Sequence, residues 1–150
     1  MKRWTTADLE LLPDNCNRYE IIDGELFVTR ALHWQHQRTC GRIFSALDAW
    51  SQSTGLGQAA IAPGIIFSDA DNVIPDVVWA NNERLAILLD DAGHLTAAPE
   101  LVVEVLSSSV ENGEIEKRNL NFTHYAEYRT TGLSIGKSRK LRFIDENEQL

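Results

Sequence analysis

Cysteine is scarce in this chain: Cys16 and Cys40 are the only two, and they form neither a CxxC pair nor part of a His cluster at zinc-finger spacing. That usage argues against a disulfide framework and against a zinc ribbon, and it fits two free thiols in a reducing, cytoplasmic setting. Long apolar runs are missing as well. No stretch approaches the roughly eighteen residues of a membrane span, and the opening MKRWTTADLELLP has no apolar segment behind its two basic residues, so it does not read as a secretory signal. Positive charge is in deficit, with 14 Lys+Arg against 22 Asp+Glu and a net charge of −8. A protein that coats DNA would be basic. A nuclease remains compatible, because metal-binding carboxylates and a local basic lip can coexist with an acidic total. No GxxxxGK[ST] or GxGxxG follows Gly55 and Gly57, so these glycines read as a turn and not as a phosphate loop. Internal repeats and low-complexity tracts are absent too.

What is present fits one domain: 150 residues, 43% of them hydrophobic, suffice for a real core. The chain is organised around Ala98–Leu106, APELVVEVL, in which Leu101, Val102, Val103, Val105 and Leu106 make a nearly unbroken apolar run. Such a run reads as a strand covered on both faces. Glu104 interrupts it, and an ionised carboxylate buried there costs several kcal/mol unless it is paired or binds a metal. Val73–Ala80, VIPDVVWA, repeats the design, with Asp76 leading Val77, Val78 and Trp79. Pro-Asp is also a common turn opener, so Asp76 has a purely structural reading beside the chemical one.

The remaining elements follow from local signals. Thr5 or Thr6 caps a short helix over Ala7–Leu12, ended by Pro13 and Asp14. Arg18–Ile22 and Glu25–Thr29 flank Asp23-Gly24, the two-residue turn of a hairpin. Glu20, between Tyr19 and Ile21, reads by default as a solvent-facing hairpin residue. From His33 to about Ser53 the pattern is helical, with Ile43, Leu47 and Trp50 on one face and Phe44 alongside. His33 and His36 lack the i,i+4 spacing of same-face ligands and read as hydrogen-bonding or surface histidines. Short strands are expected at Gln58–Ala62 and Ile65–Phe67, then an acidic turn over Ser68–Asn72 and the Asp76 strand. A helix capped by Asn81 or Asn82 runs to Leu89, with Leu85, Leu88 and Leu89 facing inward, and Asp90–Ala98 is a loop. One helix between the Asp76 and Glu104 strands suits a strand–helix–strand connection that lays them side by side. Two carboxylates so placed can hold Mg²⁺ together with water and phosphate oxygens, and that metal can activate water for phosphodiester cleavage.

Residues 4–112 resemble the Uma-two family of restriction-endonuclease-like proteins, within the PD-(D/E)XK nuclease superfamily. The resemblance rests on Arg18–Leu26 (RYEIIDGEL), Gly64–Ala80 (GIIFSDADNVIPDVVWA), Gly93–Thr96 (GHLT) and Pro99–Ser107 (PELVVEVLS), in that order, with the helix after His36 between the first two. It implies an α/β fold of restriction-endonuclease-like type, three layers α/β/α around a small mixed sheet. It also implies that Asp76 and Glu104 bind the metal and that Glu20 is an auxiliary acid at the same site. The superfamily pattern asks for lysine where this chain has Leu106, and the family is known for moving that lysine onto the following helix.

After Asn112 the resemblance to the family's usual continuation fails. Residues 1–112 hold 7 Lys+Arg and 16 Asp+Glu, whereas residues 113–150 hold 7 and 6. The family continues in a pattern like ERRDREAKLKLYS and a hydrophobic strand like GVQEYWIVDW; this chain reads GEIEKRNLNFTHYAEYRTTGLSIGKSRKLRFIDENEQL, with strand character only at Leu141–Ile144. Codons can be chosen for Asn112–Thr123 so that restoring the bases GAAC after codon 112 gives NERRDREAKLKLY. The expected organisation is therefore a nuclease-like core over 1–112 and an atypical, out-of-frame tail over 113–150. Lys117 is then near the place of a catalytic lysine only by coincidence, and the fold's C-terminal part is incomplete, leaving an apolar sheet edge open to aggregation or to a homo-oligomer. The function expected is a Mg²⁺- or Mn²⁺-dependent DNA endonuclease, weak or inactive in this chain, with DNA as partner and no membrane. The alternatives are a non-catalytic nuclease-fold domain for binding or assembly, and the product of a decayed gene.

Overall fold

The structure, a computed structural model, describes residues 2–30 and 33–105 with their side chains, and Leu106 and residues 140–145 as backbone. It starts with a one-turn helix, α1 (Thr6–Leu9), capped by Thr5, whose N–H and hydroxyl both donate to Asp8 Oδ2 at 2.9 Å. The expected helix to Leu12 stops early because it has no face to bury: no residue of α1 is buried, and Leu11 is 83% exposed. The hairpin lies where the turn chemistry puts it, as β1 (Arg18–Ile22) and β2 (Glu25–Thr29) in antiparallel register. Asp23 and Gly24 adopt φ of 50° and 74°, the left-handed pair a two-residue hairpin turn requires.

Helix α2 (Trp34–Thr54) ends at Gly55, whose φ of 68° supplies the left-handed cap. The chain then forms β3 (Gly57–Ile61), β4 (Ile65–Ser68) and β5 (Asp71–Val73). The expected single strand Val73–Ala80 is instead two. Pro75 lacks the N–H a ladder needs, so β5 ends at Val73 and β6 (Val77–Asn81) begins after the corner, in another sheet. Helix α3 (Asn82–Leu88) is capped by the Asn81 side chain, which accepts from the Arg84 N–H. Leu85 and Leu88 pack inward as expected, but Leu89 is 45% exposed. It lies beyond the helix in extended backbone, where helical spacing no longer decides its direction.

Strand β7 (Leu101–Leu106) runs antiparallel to β6, not parallel as a crossover would give. The cause is at its start: the Glu100 carboxylate accepts from the Asn81 N–H (3.1 Å) and side-chain amide (3.0 Å), which returns the chain to the end of β6 that it left. β8 (Lys140–Asp145) pairs in parallel with β7 along its length, so the edge expected to be bare is occupied by this strand.

The two sheets have orders β2-β1-β5-β4 and β3-β6-β7-β8, and the second is mixed. Strand alternation divides the core. Val77, Val103 and Val105 face α2 with Cys40, Ile43, Phe44 and Leu47. Val78 and Val102 face the opposite way, into a cluster with Ile22, Ile65, Val73 and Leu88. The layers are thus α2, the mixed sheet, and α3 with the hairpin sheet: the expected three-layer α/β/α arrangement. At the far end of α2 the Trp79 indole N–H donates to Ser51 Oγ (2.8 Å), and Trp50 packs on Trp79 at 5.1 Å between ring centroids. Among the described residues no helix is long and apolar enough to cross a membrane.

Candidate active site

Asp76 sits at the Ile74–Asp76 corner where the chain passes from one sheet to the other, and three elements converge on its carboxylate. Arg18, from β1, donates to Oδ1 at 3.1 Å. The Val105 N–H, from β7, donates to Oδ2 at 2.8 Å. His36, from α2, places Nε2 3.3 Å from the same oxygen. Asp76 is 4% exposed. Burial pushes its pKa up, but the hydrogen bonds from His36 and the Val105 N–H and the charge of Arg18 outweigh that, and the carboxyl is held below the ordinary value of 3.8.

His36 is buried, and its tautomer follows from its neighbours. Nε2 lies 3.1 Å from the Val105 carbonyl, which can only accept, so Nε2 carries the proton. Nδ1 then accepts from the Cys40 thiol at 3.5 Å, one helical turn on. The Cys40 pKa is pushed up to about 12, first by burial and then by the negative charges of Asp76 and Glu104, with Arg18 opposing. His36, Cys40 and Asp76 each offer a donor atom within 4.8 Å of the others, a set that could hold a metal ion.

Glu20 overturns its default reading. It is 1% exposed, because β1 is an inner strand flanked by β2 and β5. Its Oε1 accepts from the Ile74 N–H at 2.8 Å, while Arg18 donates to the Ile74 carbonyl at 3.1 Å. One peptide unit therefore links Glu20 to the Arg18–Asp76 pair. Glu104 is buried, as its strand predicted. The register pairs Val77 with Val103, which places Asp76 and Glu104 each next to a residue of that pair. Alternation sends the Glu104 side chain to the face away from Val103 and Val105. The corner thus gathers Glu20 and Asp76, with Glu104 on the neighbouring strand. Lys117 lies outside the described residues, as does the boundary expected at 112.

Two participants went unread in the sequence. Arg18 looked like an ordinary first residue of a hairpin strand. His36 was weighed against His33, which is exposed at the cap of α2, and not against Cys40, which stands at the i,i+4 spacing of same-face ligands.

No curated protein matches the chain. Among solved structures, the fold is similar to that of a crystal structure described as a "putative nuclease belonging to DUF820" from Anabaena variabilis, with a TM-score of 0.71 and 16% identity over 94% of this chain and 73% of that one. The family described as "Putative restriction endonuclease", Uma2, matches residues 6–134. The chain belongs to the Uma2 family.

Proposed function

We propose that this chain is a divalent-metal-dependent DNA endonuclease domain, in which Asp76 and Glu104 hold Mg²⁺ or Mn²⁺ and Glu20 shapes the same site. The observation that carries the reading is the burial of Glu20 and Asp76 at one sheet-to-sheet corner, with Glu104 buried on β7, the strand whose Val105 N–H holds the Asp76 carboxylate. Buried carboxylates are costly unless something of opposite charge offsets them, and oxygen donors from neighbouring strands suit a hard cation. The donor set fits such an ion: by the usual count of about four lone-pair positions per carboxylate, Arg18, His36 and the Val105 N–H use three at Asp76. The bound metal supplies an activated water and stabilises charge on the phosphate. The protein's own groups position it. Arg18 and the Val105 N–H fix the Asp76 carboxylate from two sides, and Glu20 holds the corner through the Ile74 N–H.

Mg²⁺- and Mn²⁺-dependent plasmid cleavage by the wild type, by Glu104→Gln and by Asp76→Asn tests the reading. Cleavage by the wild type with a loss of at least about a hundredfold in either variant supports it. Equal cleavage by Glu104→Gln overturns the assignment of that residue. A second reading, a non-catalytic domain that keeps the fold for binding, is favoured by the three protein partners already on Asp76. Calorimetric titration with Mn²⁺ separates the two: binding that disappears in both Asp76→Asn and Glu104→Gln supports the first, and no binding that depends on Asp76 favours the second.

A further inference from the structure

The geometry points to His36, Cys40 and Asp76 as a binding site for a borderline-soft transition-metal ion, Zn²⁺ or Co²⁺, independent of whether the domain cuts DNA. Three features carry it. His36 and Cys40 are one turn apart on the inner face of α2, so their side chains stack over the same patch of the mixed sheet. Both are buried, at 3% and 2% exposure, and Asp76 meets them there. The donor atoms of the three lie within 4.8 Å of one another.

The distances suit a small tetrahedral centre. Ligand bonds of about 2.0–2.3 Å put neighbouring donors of a four-coordinate zinc roughly 3.4–3.6 Å apart. His36 Nε2 and Asp76 Oδ2 are at 3.3 Å. The Val105 carbonyl stands 3.1 Å from the same nitrogen and offers a further oxygen. An ion held by all three residues takes one nitrogen of the His36 ring, and because the Cys40 sulfur lies 3.5 Å from Nδ1 while Asp76 faces Nε2, the ring turns within the cluster to bring sulfur and carboxylate to the same ion. Nitrogen and thiolate donors select zinc and cobalt over magnesium, which takes oxygen ligands in octahedral geometry. The simplest competing account is that Cys40 is a small apolar residue packed among Val77, Val103 and Val105 whose S–H merely satisfies His36. Sharing Asp76 with the proposed magnesium site makes zinc an antagonist of that site.

Cobalt spectroscopy in a Cys16→Ser background, which leaves Cys40 as the one thiol, decides between these accounts. Co²⁺ titration is expected to give a near-ultraviolet thiolate-to-cobalt charge-transfer band and visible bands of tetrahedral intensity at one equivalent, displaced by Zn²⁺. Cys40→Ser in that background should lose the charge-transfer band and at least about tenfold in Co²⁺ affinity. Glu104→Gln should keep the band, so that a failure of the nuclease reading stays distinguishable from a failure here. Absence of a charge-transfer band in the Cys40 protein overturns the inference, as does a band that survives Cys40→Ser. Should Cys40→Ser not fold, zinc-dependent stabilisation supplies the second readout. Zn²⁺ should raise the urea midpoint of the Cys16→Ser protein and leave that of its His36→Gln derivative unmoved; an equal rise in both proteins refutes the site.

Discussion

His36 Nε2 and Asp76 Oδ2 stand 3.3 Å apart, and with Arg18 on the other carboxylate oxygen they tie α2, β1 and the sheet-to-sheet corner to one buried charge. Removing one partner of a buried pair leaves the other uncompensated, which typically costs about 3–5 kcal/mol. Arg18 retains 18% side-chain exposure, and the Val105 N–H stays in place when it is lost. Arg18→Met is therefore expected at or just below the low end of that range, about 2–3 kcal/mol. Urea unfolding of the variant measures it, and a loss under about half a kcal/mol, the usual range for surface sites, would show that the pair contributes nothing beyond a surface contact.

The same network fixes a pH dependence. The Asp76 carboxyl titrates below 3.8 in the folded protein, so the unfolded chain binds the proton more readily. Its contribution to stability is complete above the unfolded value and is lost as pH falls through the lower folded one. Unfolding free energy should therefore fall below about pH 4, and Asp76→Asn should flatten that decline while lowering stability at neutral pH. Chemical denaturation between pH 2.5 and 7 tests this; an unchanged acid limb in Asp76→Asn would assign the loss to other carboxylates.

Cys40 gives a third expectation, of opposite sign. Its thiol is pushed up to about 12 and is buried, whereas Cys16 is exposed. The thiolate is the reactive form. A disulfide reagent at pH 8, without added metal, should modify one thiol per chain quickly and the second only on unfolding. Two fast thiols in the folded wild type would contradict the burial of Cys40. Because the folded pKa is the higher one, the contribution of Cys40 to stability is present below its unfolded pKa and is lost as pH rises through 9 toward 12.

How far the sequence announced this structure depends on the range of the interactions. Asp23-Gly24 set the hairpin and Gly55 ended α2 through backbone preferences, and the apolar run 101–106 required a covered strand whatever its neighbours. The direction of β7 was not legible, because it turns on Glu100 reaching back to Asn81 across a nineteen-residue separation. The split at Pro75 had a visible cause in the missing N–H, but the apolar residues on both sides of it suggested one continuous strand. The acids were legible as types and not as environments. Glu20 alternates like any exposed strand residue, and only the pairing of β5 with β1 buries it. His36 and Cys40 displayed the spacing of a shared face, yet their convergence with Asp76 is a tertiary fact.

Ser51 and Trp79 offer a stability prediction remote from the acids. The indole N–H donates to Ser51 Oγ at 2.8 Å, while the hydroxyl itself donates to the Leu47 carbonyl at 2.7 Å. Ser51→Ala strands a partly buried N–H and is expected to cost about 1–2 kcal/mol, as losing one partner does. Metal binding and any cleavage should be unaffected. Thermal unfolding that does not shift would show that water replaces the hydroxyl.

Glu20 separates holding the corner from taking part in the chemistry. Its Oε1 accepts the Ile74 N–H, and a glutamine carbonyl can accept the same bond. Glu20→Ala instead leaves that N–H without its acceptor and is expected to cost about 1–3 kcal/mol. If Glu20 acts only by holding the corner, Glu20→Gln keeps both stability and cleavage. If its charge helps hold the metal or orient water, as proposed, Glu20→Gln stays folded but loses cleavage by about tenfold or more and binds Mn²⁺ more weakly. Paired measurement of urea midpoints and Mn²⁺ affinity in the two variants distinguishes these outcomes, and a Gln variant with wild-type affinity and cleavage would remove Glu20 from the site while leaving its place in the fold intact.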